Sequence, residues 1–556
     1  MPPEELTVGR PDQLQGWTYR PEAPLTSHPA YTHFFNRVKK VAEATWAANP
    51  KFQKRLYQCE AAALYCTRRA NLCAGSQGVG KTLIVALTIA GLYPHLARMR
   101  PGVVQIVAPS LLSARNRWIV DLERVPFLQG LVQVLSKRSD WLHATAPIWV
   151  YHREFLTLKS QANRRRPWLA QELAKNRPPC LLVVDEIHHF KPGNVRTQAL
   201  TYLRWHSRRC LGLSGTLTDS RLDLLHHLCR LVYEEAWPFG SEQEFRRHFG
   251  CKEAVRTRAP LGELEDEEPR PKRYLDFIAL PKLGSYVQTV SRFIHRLTLD
   301  QPKVRSCCIV PAQVDCWHSL PASPEQLQAH RALVQQHRGW IEQVLRYGSQ
   351  QHVFSLFQPL LDLCWLPPEG KNSVKFHKLV EIIRQSTKTG VFVASIESGR
   401  LLTEWLNQEF PGQVVRLYAQ DLQATPKKLS LEQREAVLEE LLYREHIKVG
   451  VLSLNLASES LDLVSLDHLC FWGLSWSSLQ IAQALARVVR PGSPFAQVHI
   501  HWMYHQGLLD EHQTKLLWEK QRAAKRLLDY DPYLAPSWPE LNVKQILADI
   551  LHENTS

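Results

Sequence analysis

The sequence predicts an α/β protein with two parallel-sheet domains in tandem, a mainly helical insertion or linker between them, and a helical C-terminal tail. Short apolar runs alternate with helical patterns in two regions, which is typical of parallel sheets flanked by helices. A glycine-rich loop follows one early apolar run, and two acidic residues follow another. The chain of 556 residues is long enough for two or three domains that each bury a core.

The alternating pattern divides the chain into five segments. We predict an N-terminal extension (1–40), a first parallel-sheet domain (41–228), a helical insertion or linker (229–370), a second parallel-sheet domain (371–507) and a helical tail (508–556). Predicted strands cover 71–74, 103–108, 147–151, 181–184 and 210–213, then 390–394, 414–418, 448–452, 468–472 and 497–502. Predicted helices include 82–90 and 326–345.

Charge and cysteine usage narrow the function. The net charge of +15 favours a polyanionic partner such as nucleic acid. The 12 cysteines include no Cys-x-x-Cys pair, so we expect no zinc site, and scattered thiols fit a reducing compartment. We find no secretory signal and no apolar run of membrane-spanning length. The sequence therefore predicts a soluble intracellular protein without a membrane partner.

The glycine-rich loop fits the phosphate-binding pattern G-x-x-x-x-G-K-[ST]. It comprises Gly75, Ser76, Gln77, Gly78, Val79, Gly80, Lys81 and Thr82. Backbone N–H groups of such a loop wrap phosphate oxygens, and its glycines let the backbone approach the anion closely. We expect Lys81 to reach the β- and γ-phosphates and the Thr82 hydroxyl to ligate Mg²⁺. The apolar run 82–90 would be a buried helix whose N-terminus faces the phosphates.

Asp185 and Glu186 end the apolar run 181–184, where the metal and the attacking water of a nucleotide hydrolase would lie. We expect Asp185 to hold Mg²⁺ through its waters and Glu186 to orient or deprotonate the water. An isolated Asp-Glu pair is more often two solvated acids at a strand end. Together with the upstream loop, the pair predicts a site for ATP and Mg²⁺.

The order of the motifs resembles that of superfamily 2 helicase-like motors and, within them, Swi/Snf-type DNA translocases. The matching segments are 56–58, 107–112 with Trp118, 185–188, 190–194, 213–217, 239–241 with Phe245, 373–375, 391–395, 451–463 and 472–483, followed by the set Gln483, Arg487 and Arg490. The resemblance covers roughly residues 52–505 and implies two RecA-like domains. The sequence departs from the family at Ser458 and Ser460, where glycines are usual, at Asp462, where Asn is usual, and at Leu217, where Pro is usual.

The resemblance implies roles for residues outside the phosphate loop. Gln58 would recognise adenine, Pro109, Ser110, Ser453 and Trp476 would contact nucleic acid, and Ser214 and Thr216 would relay the state of ATP to the bound strand. Each of these roles has a structural alternative. Trp476 could simply pack in a core, and the two hydroxyl groups could satisfy backbone groups at a strand end.

The resemblance also places Gln483, Arg487 and Arg490 at the ATP site. Their spacings of four and three predict that all three share one helix face, with Pro491 and Gly492 ending the helix. A guanidinium group stabilises the negative charge that spreads over the γ-phosphate during transfer. A single arginine is more often a solvated surface charge, whereas the Gln-Arg-Arg set after a strand favours a catalytic role.

These features predict an ATP-driven translocase on double-stranded DNA, with ATP and Mg²⁺ as cofactors. Two alternatives are a strand-separating helicase acting on DNA or RNA, and a nucleic-acid-binding module gated by ATP. The large accessory domains of eukaryotic remodelling enzymes have no room in this chain. We expect the cytoplasm or nucleoid of a prokaryote or its phage rather than a nucleus. The sequence does not identify protein partners.

Overall fold

The computed structural model describes most of the chain. The described residues are 29–50, 53–111, 113–158, 169–215, 217, 222–249, 253–255, 273–275, 289–299, 301–347, 353–418, 431–454, 463–518, 546–548 and 550. Their contacts define two compact units. Unit 1 contains the described residues of 29–249 and 289–309, and unit 2 contains those of 253–275, 310–518 and 546–550. Within this described part, every helix is too short or too polar to cross a membrane.

Unit 1 is built on a seven-stranded sheet in the order β3-β4-β2-β5-β6-β1-β9. Its strands are β1 (Ala70–Gly75), β2 (Val104–Ala108), β3 (Val132–Leu135), β4 (Ile148–His152), β5 (Leu181–Val184), β6 (Arg209–Ser214) and β9 (Ile294–Leu297). Every pairing in this sheet is parallel. Strands β1, β2 and β5 are buried at every position, as expected for apolar runs covered on both faces.

Helices accompany the strands of unit 1. They are Pro29–Ala48, Leu56–Thr67, Lys81–Leu92, Val120–Glu123, Asp140–His143, Leu169–Asn176, Val195–Trp205, Leu222–Tyr233, Glu242–Phe249 and Pro302–Arg305, with a π-helix at Ser113–Ile119. Short 3₁₀ turns lie at Leu96–Arg98, Pro126–Leu128, Arg153–Thr157, Ile187–His189 and Glu234–Ala236. The helix Lys81–Leu92 is apolar on nearly all sides and buried along most of its length, as the sequence predicts.

Unit 2 is built on a six-stranded sheet in the order β10-β15-β14-β11-β13-β12, again with only parallel pairings. Its strands are β10 (Ala312–Leu320), β11 (Thr389–Val393), β12 (Val414–Leu417), β13 (Val449–Ser453), β14 (His468–Phe471) and β15 (Gln497–His505). Its helices are Pro324–Gln336, Arg338–Tyr347, Val353–Trp365, Val374–Gln385, Ile396–Glu409, Leu431–Tyr443 and Ser478–Val488, with a 3₁₀ turn at Gly370–Asn372 and helical residues at 509–518. Two parallel sheets in tandem, each accompanied by helices, confirm the predicted RecA-like α/β fold class.

A short antiparallel pair stands apart from both sheets. It joins β7 (Glu253–Val255) to β8 (Arg273–Leu275). The contacts divide the chain into two units and do not test the predicted boundaries of the five segments. The boundaries at residues 40, 228, 370 and 507 therefore stay predictions.

The sequence misses several elements that the structure contains. The helix Pro29–Ala48 lies partly in the predicted N-terminal extension (1–40), and its side chains join the core of unit 1. The single helix predicted over 326–345 is two helices, because the backbone leaves the helical conformation at His337. Strands β3, β9 and β10 were not predicted either. All three lie at a sheet edge.

Side-chain caps fix where several helices begin. Ser373, Ser395 and Ser477 each accept a hydrogen bond from a backbone N–H in the first turn of the following helix. Asn194 does the same for the helix Val195–Trp205. A hydroxyl or amide oxygen at this position accepts a hydrogen bond from a backbone N–H that the helix leaves unpaired. These polar residues therefore fix the residue at which each helix begins.

A buried ion pair ties residues 509–518 to the rest of unit 2. The ammonium group of Lys375 lies 3.3 Å from Asp510 Oδ2 and donates to the Cys364 carbonyl oxygen at 3.3 Å. The same Asp510 oxygen lies 3.0 Å from His505 Nδ1. Cys364, His505 and Asp510 place ligand-type atoms within 4.8 Å of one another. Because Lys375 already pairs with the carboxylate, we interpret this group as a structural ion-pair network.

Three imidazole rings form a hydrogen-bonded row across the strands of unit 2. His501 Nδ1 lies 2.9 Å from His318 Nε2, and His501 Nε2 lies 2.9 Å from His468 Nδ1. The rings are nearly parallel, with interplanar angles of 15° and 13°. Burial lowers the pKa of His501 to about 3 and also lowers the pKa of His318 and of His468. The folded protein therefore holds this row neutral.

This row predicts loss of stability in acid. A histidine whose pKa is lower in the folded state contributes stability above its unfolded pKa, and that contribution is lost as the pH falls below it. When the pH falls from 7 to 5, His501 alone should lower the free energy of unfolding by about 2 kcal/mol. The difference between the thermal unfolding midpoints at pH 7 and at pH 5 should be smaller in a His501→Gln variant than in wild type. The exposed histidine variant His206→Gln is the control. Identical pH dependence in all three proteins would contradict the assignment.

Candidate active site

The phosphate loop connects the end of β1 to the helix Lys81–Leu92. Gly78 and Gly80 adopt the left-handed conformation, with φ of 89° and 78°. The positive φ of Gly80 favours glycine, and a Cβ atom there would lie 2.3 Å from the side-chain nitrogen of Gln58 and would displace that amide group. Lys81 Nζ donates to the Gly75 carbonyl oxygen at 2.8 Å. Lys81 thus curls back over the loop, and its contact with the phosphates of a nucleotide stays a prediction.

Three residues that precede the helix Leu56–Thr67 or lie in its first turn hold the loop from behind. Gln58 Nε2 and the Tyr57 hydroxyl group both donate to the Val79 carbonyl oxygen, at 3.0 and 2.9 Å. Arg55 Nη1 donates to the Gly78 carbonyl oxygen at 3.4 Å. Gln58 Oε1 is buried and has no hydrogen-bond partner among the described residues. This free acceptor is suited to the amino group of adenine, the role predicted for Gln58.

Strand β9 supports the loop from the other side. The Ser76 N–H donates to the Leu297 carbonyl oxygen at 2.8 Å, and Arg296 Nη1 donates to the Ala74 carbonyl oxygen at 3.1 Å. The sequence gives no sign of this support, because Ile294–Leu297 is a short segment with two polar residues. Residues more than two hundred positions downstream therefore help to shape the phosphate loop.

The segment that follows β6 also lies against the loop. A Cβ atom on Gly215 would lie 3.5 Å from Gln77 Cγ and from the Gly75 carbonyl oxygen, and 3.6 Å from Lys81 Nζ. The end of β6 therefore lies close to the phosphate-binding residues, at distances that a Cβ atom at position 215 would make as ordinary van der Waals contacts. Thr216, the second predicted coupling residue, lies outside the described residues.

Asp185 and Glu186 follow β5 directly, as the sequence predicts. Asp185 Oδ1 accepts the Glu186 N–H at 3.0 Å, and Asp185 Oδ2 accepts the indole N–H of Trp118 at 3.1 Å. Burial, and then the neighbouring Glu186 charge, raise the pKa of Asp185 to about 6. Burial lowers the pKa of Lys81, against the opposing effect of both carboxylates. Lysine and carboxylates therefore share one low-dielectric site.

Glu186 is one of two non-glycine residues with positive φ among the described residues, at 46°. Its side chain is 14% exposed, and its Oε2 lies 3.3 Å from His188 Nδ1. The same imidazole nitrogen lies 2.8 Å from the Ser214 hydroxyl oxygen. His188 therefore links the predicted water-activating carboxylate to the predicted coupling serine. The sequence does not reveal this link.

The oxygen donors of this site fit Mg²⁺. The Thr82 hydroxyl group and the Asp185 carboxylate are hard oxygen ligands of the kind that Mg²⁺ prefers. Asp185 is buried beside a second acid, an arrangement in which a bound cation would offset the repulsion between the two carboxylates. A triphosphate fits as well, because the loop has the required left-handed glycines and Gln58 has an open acceptor.

Three of the four predicted nucleic-acid residues lie at the ends of strands, and the fourth, Trp476, lies just before the helix Ser478–Val488. Pro109 and Ser110 follow β2 and are half-buried, and Ser453 is the last residue of β13. Trp476 is partly buried, packs on the core of unit 2 and stacks on Phe357 with ring centroids 5.5 Å apart. Core packing thus explains at least part of the placement of Trp476. The nucleic-acid contacts of all four residues stay predictions.

The arginine prediction needs one correction. The helix Ser478–Val488 carries Gln483 and Arg487, both buried, but Arg490 lies two residues beyond its end. Arg490 therefore does not share the predicted helix face. Proline disfavours the helical conformation in the residue before it, and Pro491 follows Arg490 directly. The nucleotide-binding role of Gln483 and the catalytic roles of Arg487 and Arg490 stay predictions.

Comparison with known proteins places this site in context. Residues 374–492 match the model of the helicase conserved C-terminal domain. An uncharacterized ATP-dependent helicase of Bacillus subtilis (strain 168), YqhH, is 20% identical over 487 residues, which cover 86% of this chain and 80% of that protein.

Two solved structures of the Sulfolobus solfataricus SWI2/SNF2 ATPase core are also similar, each at 18% identity. The core in complex with dsDNA has a TM-score of 0.35 and covers 89% of this chain and 96% of its own. The core domain has a TM-score of 0.34 and covers 90% of this chain and 94% of its own.

Proposed function

We propose that this chain, a helicase-like, nucleic-acid-dependent ATPase of superfamily 2, is an ATP-driven translocase of the Swi/Snf type. Its substrate would be double-stranded DNA. The observation that carries the proposal is the linked set of Lys81, the Asp185–Glu186 pair, His188 and Ser214. Such a set ties the hydrolytic residues to a segment expected to respond to the bound strand.

The chemistry assigns one role to each residue. Lys81 stabilises charge on the phosphates, and the loop N–H groups hold them. Glu186 orients the attacking water and accepts its proton, and Asp185 would hold the Mg²⁺ ion. Mg²⁺ would neutralise charge on the phosphate oxygens when it is bound. Arg490 would stabilise the charge that spreads over the γ-phosphate during transfer.

Double-stranded DNA is the substrate that the motif order and the net charge of +15 favour. A backbone-tracking motor gains affinity from phosphates rather than from bases, so a basic surface suits it. The second candidate is a strand-separating helicase on DNA or RNA. It is favoured by the relative in Bacillus subtilis, whose name describes an ATP-dependent helicase.

Nucleic-acid stimulation of ATP hydrolysis distinguishes the candidates. We expect duplex DNA to stimulate hydrolysis more strongly than single-stranded DNA or RNA of equal length. A Lys81→Ala variant provides the background rate, because it removes the phosphate-binding ammonium group. Stronger stimulation by single strands would favour the helicase, and stimulation by RNA alone would contradict both DNA proposals. Tight binding of nucleic acid without any stimulation would point to a gated binding module.

A further inference from the structure

Trp118 makes a direct hydrogen bond to the predicted metal-binding carboxylate. Its indole N–H donates to Asp185 Oδ2 at 3.1 Å, and its side chain is 1% exposed. The other oxygen, Asp185 Oδ1, accepts the Glu186 N–H. Both oxygens are therefore held by neutral donors, which fix the direction of the carboxylate. An indole N–H does this without adding a positive charge that would repel a metal ion.

The same short segment begins at a residue predicted to touch nucleic acid. Ser110 Oγ accepts the Ser113 N–H at 3.1 Å, and the Ser110 carbonyl oxygen accepts the Ala114 N–H at 3.1 Å. Ser110 thus caps the π-helix Ser113–Ile119 that carries Trp118. π-Helical turns are uncommon and concentrate at functional sites, where an inserted residue redirects side chains.

Arg117 adds an electrostatic link from the same turn. Its positive charge opposes the rise in the pKa of Asp185 and contributes to lowering the pKa of Lys81. Electrostatic effects of this kind fall off with distance. Arg117, in the same turn as Trp118, therefore lies within electrostatic range of both Asp185 and Lys81. A shift of this turn would change the surroundings of both residues together.

We propose that Trp118 is a positioning residue that orients Asp185 for Mg²⁺, and that the segment from Ser110 to Trp118 transmits nucleic-acid binding to this carboxylate. The second part rests on the proposed function. A nucleic-acid phosphate accepts a hydrogen bond from the Ser110 hydroxyl group, whose oxygen also accepts the Ser113 N–H, so binding there displaces the residue that caps the π-helix. The turn then moves, and the indole N–H moves with it relative to Asp185.

The alternative is that Trp118 only fills the core of unit 1, and the chain offers a matched control. Trp149 is fully buried in β4 of the same unit, and its indole nitrogen has no hydrogen-bond partner among the described residues. Trp118→Phe and Trp149→Phe therefore remove similar buried volumes, but only the first removes a hydrogen bond. Trp118→3-benzothienylalanine keeps the bicyclic volume and deletes the donor alone, so it remains informative if Trp118→Phe fails to fold.

The first measurement is equilibrium binding of a fluorescent ATP analogue as Mg²⁺ is titrated. Loss of a group that orients a metal ligand typically weakens metal affinity, so we expect the half-saturating Mg²⁺ concentration to rise about 10-fold in both Trp118 variants. Trp149→Phe should match wild type. Equal Mg²⁺ dependence in the Trp118 and Trp149 variants would overturn the positioning role.

The second measurement compares the affinity for the analogue with and without duplex DNA. The ratio of the two affinities is the coupling between the sites. It should fall towards one in the Trp118 variants and keep its wild-type value in Trp149→Phe. A ratio of one in wild type would refute the proposed response to duplex DNA but leave the Mg²⁺ result standing. A wild-type ratio in the Trp118 variants would refute the transmission path.

Discussion

Replacing Glu186 by glutamine should lower ATP turnover by about 10²- to 10⁴-fold, the usual contribution of a general base. Glutamine keeps the shape of the side chain but cannot accept a proton from water. ATP and nucleic acid should still bind, because the loop, Lys81 and Asp185 remain. Single-turnover hydrolysis and equilibrium binding of both ligands measure the two halves of this expectation.

A second acid supplies the control for this variant. Glu234 is the other described non-glycine residue with positive φ, at 52°, and it pairs with Arg204 rather than with the phosphate loop. Glu234→Gln therefore makes the same chemical change at a similarly unusual backbone position. It should leave turnover near the wild-type rate. Unaltered hydrolysis in Glu186→Gln would remove the assigned water-activating role.

Replacing Arg490 by alanine should lower the hydrolysis rate by about a thousandfold with little change in ATP affinity, since an inserted arginine acts mainly on the charge of the transition state. Arg490 is a better test than Arg487, whose 4% exposure within unit 2 makes substitution a risk to folding. Rates of hydrolysis at saturating ATP and nucleic acid, with the affinity for ATP measured separately, provide the comparison.

Arg384→Ala is the matched control for the arginine prediction. Arg384 belongs to the same unit, its side chain is 64% exposed, and it pairs with Glu409 at the surface. An exposed pair of this kind contributes little to stability, so this variant should hydrolyse ATP at the wild-type rate. If Arg490→Ala and Arg384→Ala behaved alike, unit 2 would not contribute that arginine to hydrolysis.

The sequence predicts the central strands of the two large sheets but misses three of their four edge strands, for a physical reason. Strands such as β2 and β5 are covered on both faces, so nearly every residue in them is apolar and the run is visible. Strands β3, β9 and β10 lie at sheet edges and carry partly exposed polar residues. An edge strand therefore has a composition that resembles a loop, and only its pairing reveals it.

The candidate site likewise contains features that the sequence predicts and contacts that it does not predict. The phosphate loop and the Asp185–Glu186 pair are contiguous motifs, and the sequence predicts them directly. The contacts of Trp118 with Asp185 and of His188 with Ser214 join residues that are 67 and 26 positions apart. No local pattern encodes such partners. Arg490 is an example of a local pattern that misleads. Its spacing from Gln483 and Arg487 suits one helix face, but Pro491 directly follows Arg490 and the helix ends before it.

If ATP hydrolysis drives movement along duplex DNA, the protein should displace a third strand from a DNA triplex. Displacement is measured with wild type and Glu186→Gln, in the presence and absence of ATP. We expect rapid displacement only for wild type with ATP. Persistence of the triplex while wild type hydrolyses ATP on the same DNA would contradict translocation.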